Sequence, residues 1–139
     1  MAKAKMVHQL SFTLPNKVGQ LSAVAELIGA ANVNIDAILA TESGSGAEFR
    51  LITGKNAKAK KALATLGVEI REEDVICIRM PNKAGRLRKI AKKLAEAAVN
   101  VNRAWATSSG GKSATVVLQT SDDKKALAAM GAGGTQKKK

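Results

Sequence analysis

One eight-residue segment occurs twice in this sequence, and the repetition limits what the chain can fold into. Residues 14–21 read LPNKVGQL and residues 80–87 read MPNKAGRL, an offset of 66 residues. A fixed offset of this kind indicates a duplicated structural unit. Proline cannot continue a strand ladder and glycine lets the backbone turn, so each copy predicts a turn after a strand. The shared residues are Pro15, Asn16, Lys17, Gly19 and Leu21, which recur as Pro81, Asn82, Lys83, Gly85 and Leu87.

The hydrophobic pattern around the first copy predicts a unit with the element order β-α-β-β-α-β. Apolar and polar residues alternate over residues 6–14, as in a half-buried strand. From Leu21 the apolar spacing changes to three and four residues, which is typical of an amphipathic helix. The predicted core face of that helix consists of Leu21, Val24, Ala25 and Ile28. The remaining predicted elements are strands at 35–41, 47–53 and 68–70 and a helix at 58–66.

The same order of elements is predicted again from Ile76 onward. The apolar positions of the first helix in this copy are Leu87, Ile90 and Leu94. After Met130 the sequence consists mainly of glycine and lysine, which are poor strand formers. The second unit is therefore expected to lack its fourth strand, so that its sheet is either three-stranded or completed by another chain.

Three acidic residues at positions 72–74 form the only candidate linker between the two copies. Because this segment is too short for independent movement, we expect the two units to pack together. The predicted domains are a first unit at 1–72, a second unit at 73–131 and a basic, disordered tail at 132–139.

Composition narrows the class of protein and shows a strong charge asymmetry. No apolar run is long enough to cross a bilayer, and the N-terminal residues do not resemble a secretory signal. The single cysteine, Cys77, cannot form an internal disulfide, which favours a reducing compartment, and we expect a cytoplasmic protein. Residues 1–74 hold nine Lys/Arg and eight Asp/Glu, whereas residues 75–139 hold fourteen and three. Such asymmetry is one mark of a nucleic-acid-binding or membrane-binding surface.

The residue pattern does not indicate catalysis. The chain contains one histidine, His8, and no Ser-His-Asp set, metal-ligand spacing or phosphate-binding loop. The glycine pairs at 44–46 and 110–111 lie between predicted strands, as hairpin turns do. We therefore expect a protein that is not an enzyme and that needs no cofactor and no metal.

The duplicated turn, followed by Asn-Ile or Asn-Val at the start of the second strand, resembles the ACT domain over residues 6–130. The resemblance implies an α+β protein of two ferredoxin-like βαββαβ units in tandem, each with a sheet covered on one side by two helices. ACT domains generally bind amino acids and regulate enzymes of amino-acid metabolism. The ligand then lies near the junction of two units, between the first turn of one and the second strand of the other.

The resemblance also implies which residues hold the ligand. The two sites need not be equivalent, because Asn102 replaces Asp36 in the second copy. The implied contacts of the first copy are Asn16, Lys17, Val18, Gly19, Gln20, Leu21, Asn34, Ile35 and Asp36. Those of the second copy are Asn82, Lys83, Ala84, Gly85, Arg86, Leu87, Asn100, Val101 and Asn102.

The chemistry of the turn suits a free amino acid. A helix N-terminus offers unpaired N–H groups and a partial positive charge to the ligand carboxylate. The side chains of Asn16 and Asn82 can donate and accept, so they either contact the ligand or shape the loop. We accordingly predict an amino-acid-binding regulatory protein that forms a homodimer or a larger assembly and acts on a partner enzyme.

Two other functions stay open. Arg86, Arg88, Lys89, Lys92 and Lys93 crowd one predicted helix, at 86–98, which could bind nucleic-acid phosphates. Base-stacking aromatic residues make up only 2% of the chain, which disfavours sequence-specific RNA recognition. The third possibility is a structural regulatory subunit that binds no ligand.

Overall fold

The computed structural model describes residues 3–108 and 110–130, and this part of the chain contains six strands and four helices. In chain order they are β1 (Lys3–Pro15), α1 (Gln20–Ala30), β2 (Ile35–Ser43), β3 (Gly46–Thr53), α2 (Asn56–Leu63), β4 (Arg71–Pro81), α3 (Arg86–Glu96), β5 (Val101–Thr107), β6 (Ser113–Thr120) and α4 (Asp123–Ala129). A single 3₁₀ turn, Ala64–Leu66, extends α2. None of the helices in these ranges is long and apolar enough to span a bilayer.

The chain divides into two compact units, and the prediction of a duplicated α+β architecture is confirmed. The first unit is His8–Glu73, with strand order β2-β3-β1 followed by the start of β4. The second unit combines residues 3–7 with the described part of the chain from residue 74, and its order is the start of β1, then β4-β6-β5. The β1–β3, β2–β3, β4–β6 and β5–β6 pairs are all antiparallel.

The core of the first unit is built where the sheet meets α1 and α2. Phe12 of β1 lies opposite Phe49 of β3, and their rings stack with centroids 5.3 Å apart. Val24 and Ile28 of α1 are buried against this sheet, as is Leu63 of α2. The helix therefore buries the positions one and two turns beyond its start, as an amphipathic helix does.

The core of the second unit has the same plan with smaller side chains. Ile78 of β4 lies opposite Val116 of β6, at the place of the phenylalanine pair. Ile90 and Leu94 of α3 are buried against these strands. Aliphatic packing thus replaces ring stacking in an otherwise similar arrangement.

The start of the chain belongs to the second unit. Ala4, in the first part of β1, is buried in the second core, and Met6 packs against it. Residues 3–7 therefore occupy the place beside β4 that a fourth strand would take, whereas the sequence assigned residues 1–72 to the first unit. The expected absence of a strand after residue 130, and the expected tail, concern residues that lie outside the described ranges.

The region between the two copies differs from the prediction. The expected short strand at 68–70 and the linker at 72–74 are wrong, because one continuous strand, β4, covers Arg71–Pro81. No glycine or proline interrupts residues 71–80, so nothing in the backbone stops the strand from extending through the three acids. Val68 and Ile70 instead pack against the first core from outside the strand.

Two details of the predicted burial are also wrong. The alternation over residues 6–14 predicts that His8, Leu10 and Phe12 face the core and that Gln9 and Ser11 face away from it. Instead, Gln9 and Ser11 are 0% and 2% exposed, so β1 is covered on both faces, and His8 is exposed. Leu21 and Leu87 are 56% and 53% exposed instead of lying in the cores, and Ala25, also predicted on the core face of the first helix, is exposed. Each leucine follows an exposed turn in the first turn of its helix, before the helix reaches the buried positions.

Candidate functional site

The first turn connects β1 to α1 and is held in place at both of its ends. The backbone N–H of Asn16 donates to the carbonyl of Ser45 at 3.1 Å, which joins the turn to the β2–β3 hairpin. The Nε2 atom of Gln20 donates to the carbonyl of Pro15 at 2.7 Å. Between them, Lys17, Val18 and Gly19 are exposed. A fixed loop with an exposed backbone results.

Gly19 sets the direction of the helix start. Its φ of 93° lies in the left-handed region, which favours glycine. An added Cβ would meet no atom within 4 Å, so the backbone conformation and not crowding requires glycine here. The first helical bond runs from the N–H of Ala23 to the carbonyl of Gly19 at 2.9 Å. The N–H groups of Gln20, Leu21 and Ser22 precede it and have no intrahelical acceptor.

The second turn repeats this geometry in the second unit. Gly85 has a φ of 86°, and again an added Cβ would meet nothing within 4 Å. The N–H of Asn82 donates to the carbonyl of Lys112 at 2.8 Å, and that of Lys89 to Gly85 at 3.2 Å. The N–H of Arg86 donates to the carbonyl of Lys83 at 3.3 Å, so the start of α3 has fewer free N–H groups than the start of α1.

Neither α1 nor α3 has a side-chain cap at its N-terminus. Helix α4 shows the usual arrangement, in which the Asp122 carboxylate accepts from the N–H of Lys125 at 3.1 Å. Helix α2 also lacks a side-chain cap, but no glycine with positive φ precedes it. The two turns of the predicted site thus combine free helix-starting donors with a glycine turn, whereas α2 and α4 do not. This is the geometry that an incoming carboxylate requires.

The asparagine side chains of the two turns contribute to the loop structure. The Nδ2 atom of Asn16 donates to Oε2 of Glu42 at 3.0 Å, and that of Asn82 donates to the carbonyl of Gly111 at 3.0 Å. Both bonds tie the turn to the neighbouring hairpin. Asn16 and Asn82 therefore help to shape their loops. Because their Nδ2 atoms make these bonds, their side-chain oxygens are the groups that can accept a hydrogen bond from a ligand ammonium.

A β-bulge marks the start of the second strand in both units, and the sequence did not reveal it. The register shifts between Ile35 and Ala37 in β2, and between Val101 and Arg103 in β5. The extra residues are Asp36 and Asn102, two of the predicted site residues. Bulges often redirect a side chain beside a functional site. The only related signal in the sequence is the recurring Asn-x-Asp or Asn-x-Asn.

The bulged side chains are oriented by the preceding asparagines. The Nδ2 atom of Asn34 donates to Oδ1 of Asp36 at 3.0 Å. The Nδ2 atom of Asn100 donates to Oδ1 of Asn102 at 2.8 Å. The same short motif therefore presents a carboxylate in one unit and a neutral amide in the other.

All eighteen predicted site residues lie on exposed or half-buried backbone. Gln20, Ile35 and Arg86 are half-buried, and the others are exposed. Among the described residues, Asn16 of the first turn bonds to Glu42 near the end of β2, but no hydrogen bond joins either turn to the predicted site residues at the start of the second strand. Their assembly into one ligand site remains a prediction. Glu42, the partner of Asn16, is a residue that sequence reasoning missed.

The described residues contain no group of three or more His, Cys, Asp or Glu that could hold a metal ion. The two turns offer N–H donors and amide groups, and the bulge of β2 adds one carboxylate, that of Asp36. These groups suit a small zwitterion, since the amides match its carboxylate and Asp36 matches its ammonium.

The turns, the bulges and the two α+β units together define a duplicated α+β fold. A model of the ACT domain pair matches residues 5–130, and the chain belongs to that family. No curated protein matches the chain.

Solved structures agree with this assignment. Protein BT0572 from Bacteroides thetaiotaomicron is 28% identical over 94% of this chain and 90% of its own, with a TM-score of 0.85. The regulatory subunit of aspartate kinase from Thermus thermophilus, in a ligand-free form, is 16% identical over 95% and 97%, with a TM-score of 0.69. Aspartate kinase from Synechocystis is 19% identical over 99% of this chain and 28% of its own, with a TM-score of 0.67. The last two similarities concern the fold alone.

Proposed function

We propose that this protein is a non-enzymatic sensor that binds a small amino acid and regulates a partner. The observation that carries the proposal is the pair of uncapped helix starts, each behind a glycine with positive φ, in a chain of the ACT domain pair family. The ligand carboxylate accepts from the free amides at the start of α1, and its ammonium is held by Asp36 or by an asparagine oxygen. The second turn offers the same backbone with Asn102 in place of the carboxylate.

The bound state is transmitted by differential binding. A ligand that prefers one arrangement of the units, or one assembly of several chains, shifts the population toward it. We propose that the chain acts in the cytoplasm as a homodimer or larger assembly. The fold shared with a regulatory subunit of aspartate kinase supports a partner enzyme of amino-acid metabolism.

Calorimetric titration of the whole chain with each of the twenty amino acids tests the site. The informative variant carries Gly19→Ala together with Gly85→Ala. An alanine at positive φ strains the backbone by about 1–2 kcal/mol and reorients the amides that follow. We expect the affinity for the ligand found in the screen to fall by about tenfold or more, because 1.4 kcal/mol corresponds to a factor of ten.

The matched control is Gly67→Ala. Gly67 also has a positive φ, 73°, and open space around an added Cβ, but it follows the 3₁₀ turn instead of a predicted site. This control should bind like the unmodified chain. Unchanged affinity in the double variant would refute the site, and no heat signal with any amino acid would refute the function, leaving a structural subunit.

A further inference from the structure

The helices of the second unit carry six exposed basic side chains that the proposed ligand site does not use. We call this surface the basic layer. Its residues are Arg88, Lys89, Lys92 and Lys93 of α3 and Lys124 and Lys125 of α4. Both helices pack on the same core, through Ile90 and Leu94 of α3 and Ala126 of α4, so both lie on one side of their sheet.

The described residues around the basic layer do not neutralise its cations. None of the six forms an ion pair with any residue in the ranges 3–108 and 110–130. Glu96, the only acid of α3, follows Lys92 by one helical turn, yet these two residues form no ion pair. Within the second unit, the described residues hold thirteen Lys/Arg against four Asp/Glu.

This arrangement of charge opposes the stability of the helix. Arg88 and Lys92, and likewise Lys89 and Lys93, are like charges four residues apart, a spacing that destabilises a helix. Arg88 and Lys89 also lie in the first turn, where the helix dipole disfavours cations. Helix α3 therefore folds in spite of these residues, and local stability does not account for them.

The first unit provides an internal reference for this feature. At the offset of 66 residues, the four basic positions of α3 correspond to Ser22, Ala23, Glu26 and Leu27 of α1. Helix α1 contains no Lys or Arg. Because the two helices share their fold position and their burial pattern, the charge of α3 is not a requirement of the fold.

We propose that the basic layer binds the phosphate backbone of nucleic acid without reading its base sequence. Helix α3 has 11 residues and is about 16 Å long, the axial rise of roughly five phosphates along one strand. Phe12 and Phe49 are buried in the first core, and Trp105, the third aromatic residue, is half-buried in β5. The strands therefore do not present the set of exposed aromatic side chains on which RNA-binding modules stack bases. Recognition is therefore electrostatic, through phosphates.

An anionic membrane is a poorer match to the same surface. Membrane-surface helices place large apolar or aromatic residues beside their cations. Between Arg88 and Lys93 the exposed positions of α3 hold only charged side chains and Ala91. Leu87, at the start of α3, is the one large apolar side chain of this helix that is exposed, at 53%. A single leucine is less apolar surface than a membrane-surface helix inserts into lipid.

Fluorescence anisotropy with the whole chain tests the proposal, using labelled duplex and single-stranded oligonucleotides of mixed sequence at several salt concentrations. The test variant is Lys89→Glu/Lys92→Glu/Lys93→Glu. The control variant is Lys58→Glu/Lys60→Glu/Lys61→Glu in α2, which changes the net charge by the same amount in the first unit. A Lys89→Gln/Lys92→Gln/Lys93→Gln variant removes charge without reversing it, and circular dichroism verifies that each variant is folded.

We expect the unmodified chain to bind oligonucleotides of different sequence alike, with affinity that falls steeply as salt rises. The α3 variants should lose about tenfold or more in affinity, and their salt slope should fall by about 3, one for each phosphate contact removed. The α2 variant should bind nearly as the unmodified chain does.

Several outcomes would overturn the proposal. The first is the absence of salt-sensitive binding to any oligonucleotide. The second is an equal loss in the α2 and α3 variants, which would mean that net charge alone is responsible. The third is binding to anionic phospholipid vesicles without binding to oligonucleotides, which would assign the surface to membranes.

Discussion

The two units share the same backbone features but differ in the side chains that pack around them. Both have a turn closed by a glycine with positive φ, an uncapped helix and a bulge at the start of the second strand. The core facing the helices has stacked rings in the first unit and aliphatic side chains in the second. The turns, helix starts and bulges, which the predicted ligand would contact, are alike in the two units. The core packing and the surface charge differ between them.

The other side of the sheet differs still more between the two units. In the first unit it carries Arg50, which is buried and donates to Glu48 at 2.9 Å, beside Ser11 in the neighbouring strand. In the second unit the corresponding position is Val117, paired with Cys77. This face of the sheet is thus polar in the first unit and apolar in the second, although the backbone is alike. We infer that the fold depends mainly on the hydrophobic residues of the face that packs against the helices.

The largest expected effect concerns the phenylalanine pair. Phe49→Ala should reduce the free energy of unfolding by about 3–5 kcal/mol, because it leaves a cavity and removes ring stacking. The matched Val116→Ala in the second unit should cost only about 2 kcal/mol, since two methyl groups are lost. Urea unfolding measures both. Equal losses would mean that the stacked rings are not the main support of the first core.

The next effect contrasts a capped helix with an uncapped one. Asp122→Ala should destabilise the protein by about 1 kcal/mol, because the N–H of Lys125 loses its acceptor. Lys55 occupies the same cap position in α2 but makes no side-chain cap bond. Lys55→Ala should therefore change the midpoint of thermal unfolding much less than Asp122→Ala, and the reverse order would contradict this account of the caps.

The smallest effect tests whether the two predicted sites differ through their bulges. Asp36→Asn should weaken binding of the amino acid by about fivefold, because a neutral hydrogen bond replaces a charge-assisted one. Asn102→Asp should strengthen the second site to a similar extent. Calorimetry gives the affinity and stoichiometry for both. If neither substitution changes the affinity, the bulged residues do not contact the ligand ammonium.

The duplicated architecture could be predicted from the sequence, since the repeat and the hydrophobic periods both belong to local stretches of chain. Val24, Ile28, Ile90 and Leu94 are buried as their spacing predicts. The turns at Gly19 and Gly85 were likewise predictable, because a glycine that follows a proline-asparagine pair by three residues, where the strand period ends, is typical of a turn.

Other features depend on contacts between distant parts of the chain, which periodicity does not contain. The burial of Gln9 and Ser11 comes from neighbouring strands, with Gln9 donating to Glu73 at 3.0 Å. The continuous β4 and the bulges at Asp36 and Asn102 arise from strand pairing, and a local pattern cannot distinguish a bulge from a regular strand.

The placement of residues 3–7 in the second unit has a consequence for synthesis on the ribosome. This segment is made before its neighbours in β4 and the second core, which follow some seventy residues or more later in the sequence. At typical elongation rates of roughly 5–20 residues per second, several seconds pass before that core exists. Residues 3–7 must therefore wait for their partners while the first unit forms. Because the loop that this pairing closes is long, we expect the second unit to fold more slowly than the first.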